Sequence, residues 1–409
     1  MKKNYVLSFL FCLSAAWLSA QVYLDAATLK KHIEWLSADS LMGRGTGTDA
    51  ERKAAAYIAD HFQKLGLAPK GPEGSWYQDF DFTVSSHGVS GRKGIARNVL
   101  AYLDNGSAYT VVIGGHYDHL GLGEDGGSLD AHAHGEVHNG ADDNASGTAG
   151  VMALASLFAG NNEKEAFNFL FICFSGEELG LFGSRNFCDK PTIDLKTVQC
   201  MINMDMIGRL STTKPALTVS GAGTAPEFVS LLNNYRSAAL DIVIDSAGVG
   251  PSDHTSFYNK EVPALHFFTG THADYHKPSD DADKINIQGT EAVLSLIADF
   301  IYKLPADRRL SFLKTRNPST GSTPSFKVTL GIMPSYASAG EGLKVEAVLD
   351  GKPGKKAGLQ DGDVITAIGD YKVTEIQTYM EALSKFKKGD TATLHVKRGK
   401  KKKKLKVEF

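Results

Sequence analysis

The chain has 409 residues, 42% of them hydrophobic and 22% charged. That composition excludes a disordered or collagen-like polymer, and the length suits about two domains at roughly 100–200 residues each. The formal net charge of -2 conceals an uneven distribution. Residues 326–409 hold 17 basic against 10 acidic side chains, a balance of +7, whereas residues 21–325 hold 25 against 36, a balance of -11. This predicts an acidic body joined to a basic module, with bound cations answering part of the acidity.

In chain order, residues 1–20 read as an export leader: Lys2 and Lys3, an apolar run from 5 to 17, and Ser19-Ala20 for cleavage. The run is shorter than the roughly 20 residues needed to span a bilayer. Phe11, not a small residue, precedes Cys12, which argues against a lipoprotein signal. Cys173, Cys188 and Cys200 remain, too few for a closed disulfide framework; buried, inert thiols are predicted.

Residues 25–37 read as a helix with Leu29, Ile33 and Leu36 on one face. The glycine-rich stretch 40–47 lacks a Gly-Lys-Ser/Thr ending and a preceding strand, so it reads as a plain turn rather than a phosphate cradle. Thr48 and Glu51 form a capping box for a helix marked by Ala54, Ile58, Phe62 and Leu65 and ended by Gly66. Residues 97–103 and 110–113 read as neighbouring strands around the turn Asp104-Asn105-Gly106. A helix is predicted over 145–158. The runs 166–174 and 198–204 are almost continuously apolar, as in strands buried on both faces. Strands at 217–220 and 264–268 and helices at 225–240 and 290–302 continue the alternation. It predicts an α/β fold with a mostly parallel central sheet. Residues 313–325 are rich in Ser, Thr, Pro and Gly, a linker composition. The expected domains are a leader at 1–20, a body at 21–306, a linker at 307–325 and a small β-rich module at 326–409.

Five metal-capable side chains arrive at successive predicted strand ends: His116, Asp143, Glu178, Asp205 and His276. In open α/β sheets such ends border the ligand site. Two imidazoles and three carboxylates suit two zinc ions, with one carboxylate bridging, whereas calcium favours oxygen donors alone. Asp118, two residues after His116, is placed to accept the imidazole's second N–H. Glu177 and Glu178 are adjacent carboxylates pointing in different directions, one for metal and one for a general base; such a pair also suits a helix's first turn. His132, His134 and His138 precede Asp143 and read as solvent-exposed loop residues.

Gly-Gly-His116-Tyr-Asp118, Gly-Ala-Asp-Asp143-Asn-Ala-Ser-Gly, Ser-Gly-Glu177-Glu178-Leu-Gly, Asn-Met-Asp205-Met-Ile-Gly and Asp-Tyr275-His276-Lys-Pro together resemble the co-catalytic di-zinc exopeptidases. That family includes bacterial leucyl aminopeptidases, glutamate carboxypeptidase and the zinc glutaminyl cyclases. The resemblance covers roughly residues 25–304 and implies a three-layer sandwich. By it, His116, Asp143 and Asp205 hold one Zn2+ and Asp143, Glu178 and His276 a second, two per chain. Glu177 is then the base for a metal-bridging water, and Tyr275 a donor to the oxyanion. Asp253 and His254, in a stretch similar to the family's pattern, are supporting residues. No liganding position departs from the pattern, which argues against metal-free relatives such as the transferrin receptor.

The C-terminal module resembles a bacterial PDZ domain, through Leu330-Gly331-Ile332 and the stretch from Gly354 to Ile365. Such domains add a peptide to an exposed sheet edge, so peptide C-termini or edge strands are the expected partners. The run Lys400 to Lys404 lies between two apparent strands and reads as a solvated hairpin turn rather than a nucleic-acid or membrane site, with acidic peptides or the acidic body as alternative partners. The sequence reading is thus an exported zinc aminopeptidase, periplasmic, surface-held or secreted. Its substrates are peptides with a free N-terminus, and no transmembrane anchor is expected in the mature chain. The alternatives are a carboxypeptidase or glutaminyl cyclase on the same scaffold, or a peptide-binding protein dominated by its PDZ module.

Overall fold

The computed structural model describes residues 24–83, 92–125, 127–130, 133, 135–161, 163–237, 240–315, 328–334, 342–348, 351–374 and 376–409. The predicted leader, His132 and His134 lie outside them. The body's strands are β1 (Ala68–Pro69), β2 (Tyr77–Thr83), β3 (Lys93–Leu103), β4 (Thr110–His116), β5 (Asn168–Phe174), β6 (Val198–Met204), β7 (Ala216–Ser220), β8 (Asp241–Ile244) and β9 (Ala264–Phe268). They form one sheet in the order β1-β3-β5-β4-β6-β9-β7-β8, with β2 against β3. The centre, from β5 through β4 and β6 to β9, is parallel, and so is the β7–β8 pair. The β3–β5 and β7–β9 pairs are antiparallel.

Every residue of β4, β5 and β6 is buried, as their unbroken apolar sequences require. Alternation along β5 sorts its side chains between two cores. Phe169, Phe171 and Cys173 face helices α1 (Ala26–Leu36), α2 (Asp49–Lys64) and α3 (Gly147–Gly160), through Ile33, Phe62 and Leu154. Leu170, Ile172 and Phe174 face α4 (Phe182–Asp189), through Phe187. Helix α5 (Pro226–Asn233) adds Phe228 to the first core, and α6 (His254–Tyr258) adds Phe257 to the second; α7 (Ile287–Tyr302) returns to the first through Ile297 and Phe300. The sheet is therefore the middle layer of three. Cys173, Cys188 and Cys200 are buried free thiols, and among the described residues no helix is long and apolar enough to cross a membrane.

Three expectations need correction. Strands β3 and β4 are not neighbours: β5 lies between them, antiparallel to one and parallel to the other. The turn after β3 is strapped to β5 instead, because Asn168 Oδ1 accepts the Asn105 and Ser107 N–H groups at 2.9 and 3.1 Å. The start of the predicted linker belongs to the body. Leu310 is buried in its core, Leu310 N–H donates to Gln199 Oε1, and Leu313 N–H donates to Thr224 O. Finally, Glu51 does not close a capping box on Thr48. Thr48 caps α2 by accepting Glu51 N–H, but Glu51 reaches past it to Gly47 N–H at 2.6 Å and accepts a hydrogen bond from Ser175 Oγ.

The C-terminal unit comprises β10 (Ile332–Pro334), β11 (Leu343–Val348), α8 (Pro353–Lys356), β12 (Val364–Ile368), β13 (Tyr371–Lys372), α9 (Ile376–Ser384), β14 (Thr391–Arg398) and β15 (Lys401–Glu408). Its sheet runs β10-β11-β12-β14-β15 and closes over a separate core of Leu330, Val345, Ile365, Leu394 and Val396. The β14–β15 turn is confined to Gly399 and Lys400; Lys401 to Lys404 belong to β15, not to the turn that the sequence suggested.

Two glycines draw the strand ends together. A Cβ on Gly115 would lie 2.7 Å from Met204 O, and one on Gly147 would lie 2.3 Å from the same oxygen. Gly147→Ala is expected to lower stability by about 1–3 kcal/mol, as overpacking against rigid backbone does. A denaturant midpoint shifted at unchanged slope checks it.

Candidate active site

The carboxyl ends of the parallel strands converge as an open α/β sheet demands. β4 ends in His116 and leads to Asp118. The turn Ala141–Ser146 presents Asp143 ahead of α3, and β6 runs directly into Asp205. After β5, Gly176 at φ 70 starts a tight turn that carries Glu177 and Glu178. His276 comes from the loop after β9, at φ 54.

The five predicted donors meet. His116 Nε2 lies 3.4 Å from Asp143 Oδ1 and 3.4 Å from Asp205 Oδ1. His276 Nε2 lies 3.1 Å from Asp143 Oδ2 and 3.2 Å from Glu178 Oε2. Asp143 thus turns one oxygen toward each imidazole. Glu177 and Tyr275 line the same cavity, of about 260 Å³, and Tyr275 stacks on His276 with ring centroids 3.9 Å apart.

Asp118 is placed somewhat differently from expectation. His116 Nδ1 is 3.2 Å from the Asp118 main-chain carbonyl and 3.7 Å from its carboxylate. The carboxylate instead accepts hydrogen bonds from Thr46 Oγ1 at 2.8 Å and from Glu177 N–H at 3.2 Å. Its grip is therefore on the Glu177 backbone as well as near the imidazole. His138 is fully buried rather than exposed; its Nε2 lies 2.8 Å from Ser128 Oγ. Gly127, beside that serine, supplies the carbonyl 2.9 Å from His276 Nδ1. The loop's polar appearance hid an internal histidine that organises it.

Several residues went unassigned in the sequence. His119 Nδ1 lies 2.6 Å from Glu178 Oε1, and donor atoms of His119, Asp143 and Glu178 fall within 4.8 Å of one another. Its signal was its place in His-Tyr-Asp-His. Arg44, fully buried, donates to Leu36 O, Tyr117 O, Asn139 O and Gly140 O. It ties the two loops that present His116 and Asp143, yet sits in a stretch that reads as a plain turn. Asp280 Oδ2 accepts the Asp142 and Asp143 N–H groups at 2.9 and 3.1 Å. Asp253 and His254 are fully buried beside the site, and His254 stacks on the cavity-lining His266 with centroids 4.7 Å apart.

The electrostatics follow from this crowding. Burial alone would lower the His116 imidazole, but Glu177 and Asp205 outweigh it and hold it well above the ordinary range. Burial likewise disfavours charge on His276 and Glu178, yet their mutual attraction raises the imidazole and brings the carboxyl down to about 2. Glu177 moves the other way: burial, then the neighbouring Asp205, Asp253 and Glu178, push it well above the usual carboxyl range against the pull of His116. Asp253 is pushed up to about 7, chiefly by burial.

Residues 98–301 match the model of Peptidase family M28, and residues 325–409 match a PDZ domain. The chain belongs to peptidase family M28. Among curated relatives of this M28 protein, aminopeptidase YwaD of Bacillus subtilis is 29% identical over 175 residues, 40% of this chain and 37% of that protein. Leupeptin-inactivating enzyme 1 of Streptomyces exfoliatus is 26% identical over 263 residues, 64% of this chain and 52% of that protein. The chain thus spans about a third to a half of their length. The solved aminopeptidase from Aneurinibacillus sp. strain AM-1 shares the fold with a TM-score of 0.52 at 18% identity, over 72% of this chain and 97% of that one. Glutaminyl cyclase from Bacteroides thetaiotaomicron does so with a TM-score of 0.55 at 16% identity, over 69% and 99%.

Membership of M28 implies zinc, and the donor chemistry here fits it. Mixed imidazole and carboxylate donors suit zinc better than the all-oxygen shells of calcium or magnesium. The carboxylates around His116 and His276, which raise both imidazoles, equally favour a bound cation there.

Glu51 offers a test of the site's rear wall. Burial first, then nearby Asp118, raise its carboxyl from 4.5 to about 8. Between those values the folded protein keeps a proton that the unfolded chain has lost, so stability falls as pH rises through that window. Glu51→Gln is expected to flatten the decline in Tm from about pH 5 to about pH 9. An unchanged slope in scanning calorimetry would mean that Glu51 is ionised when folded.

Proposed function

We propose that this chain is an exported zinc aminopeptidase that removes N-terminal residues from peptides. In this reading 1–20 is a cleaved leader, the body from 21 through the segment packed at 309–315 is the catalytic unit, and 326–409 is a PDZ domain that binds peptide segments. The observation that carries the reading is Asp143, with one oxygen toward His116 and the other toward His276. In this reading His116, Asp143 and Asp205 would hold one zinc ion and Asp143, Glu178 and His276 a second, with Asp143 shared between them. His119 orients Glu178.

Two bound zinc ions would acidify water towards a pKa of about 7 and polarise a scissile carbonyl. The chain supplies the rest. Glu177 borders the cavity with its proton affinity raised, so a carboxylate oxygen takes the proton of the attacking water and returns it to the departing amine nitrogen. Tyr275, fixed by stacking on His276, donates to the developing oxyanion. Asp118 holds the Glu177 main chain in register through its N–H.

The cavity's charge favours the amino end of a peptide. Its walls present Asp143, Glu177, Glu178 and Asp205, and among the described residues no Lys or Arg lines it. An α-ammonium finds carboxylate partners in these walls, whereas among the described residues no Lys or Arg is present to clamp an α-carboxylate. That favours an aminopeptidase over a carboxypeptidase.

The test uses the chain from Gln21 onward, loaded with zinc and given peptides with free, acetylated or glutaminyl N-termini. Mass spectrometry is expected to show stepwise N-terminal loss from the free peptides only. C-terminal loss, or loss of ammonia from glutaminyl peptides, would reassign the activity. Glu177→Ala is expected to lower turnover by at least about 100-fold while the zinc content stays unchanged, as removal of a general base does. Loss of the metal together with activity would make Glu177 a ligand instead.

A further inference from the structure

We propose that the β14–β15 hairpin is a docking site for a phospholipid surface bearing anionic headgroups. The proposal is independent of the peptidase reading. Of the 17 basic residues between 326 and 409, eight fall between 397 and 406. Register shows what they build. Lys397 pairs directly with Lys402, His395 with Lys404 and Thr393 with Lys406, so four lysines share one face of the ribbon. The opposite face holds the apolar pair Leu394–Leu405 and the buried Val396, and beyond it Lys401 and Lys403 near the turn. Lys400 to Lys404 and Lys406 are all exposed.

Like charges directly opposite one another destabilise a strand pair. The hairpin nevertheless keeps Lys397 against Lys402 and Arg398 against Lys401. Guarding an edge strand from intermolecular pairing explains lysine on β15, the last strand of its sheet. It does not explain lysines on both faces of the hairpin. The composition also points to a diffuse partner. Arg398 is bound by Asp363, with Nε and one terminal nitrogen each 2.7 Å from a carboxylate oxygen. Every other cation of the run is lysine, a point charge suited to a field of headgroups rather than to fork-shaped recognition of one phosphate. No Phe, Tyr or Trp lies between 395 and 406 to stack on bases; His395 is the one ring there. Spacing of about 6.6 Å between alternate residues of a strand lets Lys402, Lys404 and Lys406 meet a flat anionic surface together. Clusters of four to eight such residues are what anionic leaflets attract.

The test is co-sedimentation of the zinc-loaded chain from Gln21 onward with phosphatidylcholine vesicles, with and without phosphatidylglycerol. Binding is expected only with phosphatidylglycerol and should fall at least about tenfold between about 50 mM and about 0.5 M salt. Each lysine at an anionic leaflet contributes about fivefold. The triple variant K402T/K404T/K406T should therefore lose more than about tenfold in affinity, with Tm and turnover of a soluble peptide unchanged. The charge-matched control K356Q/K387Q/K388Q, altered at exposed positions elsewhere on the domain, should lose less than about threefold. Equal losses in the two variants would reduce the effect to net charge and overturn the proposal, as would absence of binding to phosphatidylglycerol vesicles. Aggregation of the K402T/K404T/K406T variant with vesicle binding intact would leave edge protection as the lysines' role. Tighter binding of a DNA duplex than of the vesicles at equal salt would point to a nucleic acid, and salt-sensitive self-association without vesicle binding to the acidic body of a second copy.

Discussion

The structure depends on concentrating negative charge at one edge of a sheet. Asp118, Asp143, Asp205, Glu177, Glu178 and Asp253 occupy one neighbourhood, most of it closed to solvent. Such a group cannot fold as ionised carboxylates alone, because each added charge raises the cost of the next in a medium of low polarisability. The arrangement meets the cost in three ways. Burial and acidic neighbours raise the proton affinity of Glu177 and Asp253, the carboxylates raise that of His116 and His276, and Arg44 contributes a buried guanidinium. Arg44 ties the loops that carry His116 and Asp143 through four main-chain carbonyls.

Backbone geometry makes the concentration feasible. Metal-capable side chains arrive from the ends of three adjacent strands and from two loops, so small displacements of any strand would separate them by more than a bond length. Gly115 and Gly147 let β4 and α3 approach the Met204 carbonyl, and Asn144 Nδ2 donates to that same oxygen at 3.0 Å. Asn144 Oδ1 in turn accepts from Met206 N–H at 3.1 Å. One asparagine thereby couples the backbone beside Asp143 to the backbone beside Asp205. The donors of the first cluster are held by peptide groups, a stiffer restraint than packing of long side chains.

How much of this was legible in the sequence varied with the kind of signal. The buried strands β5 and β6 announce themselves as unbroken apolar runs, and His116, Asp143, Glu178, Asp205 and His276 stand in ordered motifs at strand ends. Their convergence follows from the parallel sheet. Strand order did not follow, because Asp104-Asn105-Gly106 is as good a turn for a chain that leaves β3 and skips over β5 as for a hairpin. Arg44 and His138 were missed for a related reason. A charged residue among glycines and a histidine in a polar loop both look solvated, and only tertiary contacts with carbonyls and Ser128 take them inside. Glu51 looked like a helix cap because local spacing allowed it. Ser175, more than a hundred residues away, claims it in the fold.

The two halves of the chain treat charge in opposite ways, and the contrast bears on what each binds. In the body, acidic groups are buried and paired with imidazoles at short range, so their field is concentrated in one cavity. In the C-terminal unit, the lysines of β15 stand exposed at the edge of a sheet, while Arg398 is paired with Asp363. Exposed like charges are screened within about 8–10 Å at physiological salt, so they act on a partner only at near contact and over a broad surface. A buried cluster selects by fit; an exposed stripe selects by charge density. Under the two proposals above, the unequal charges of the two halves serve two modes of recognition, one for the end of a chain and one for an extended surface.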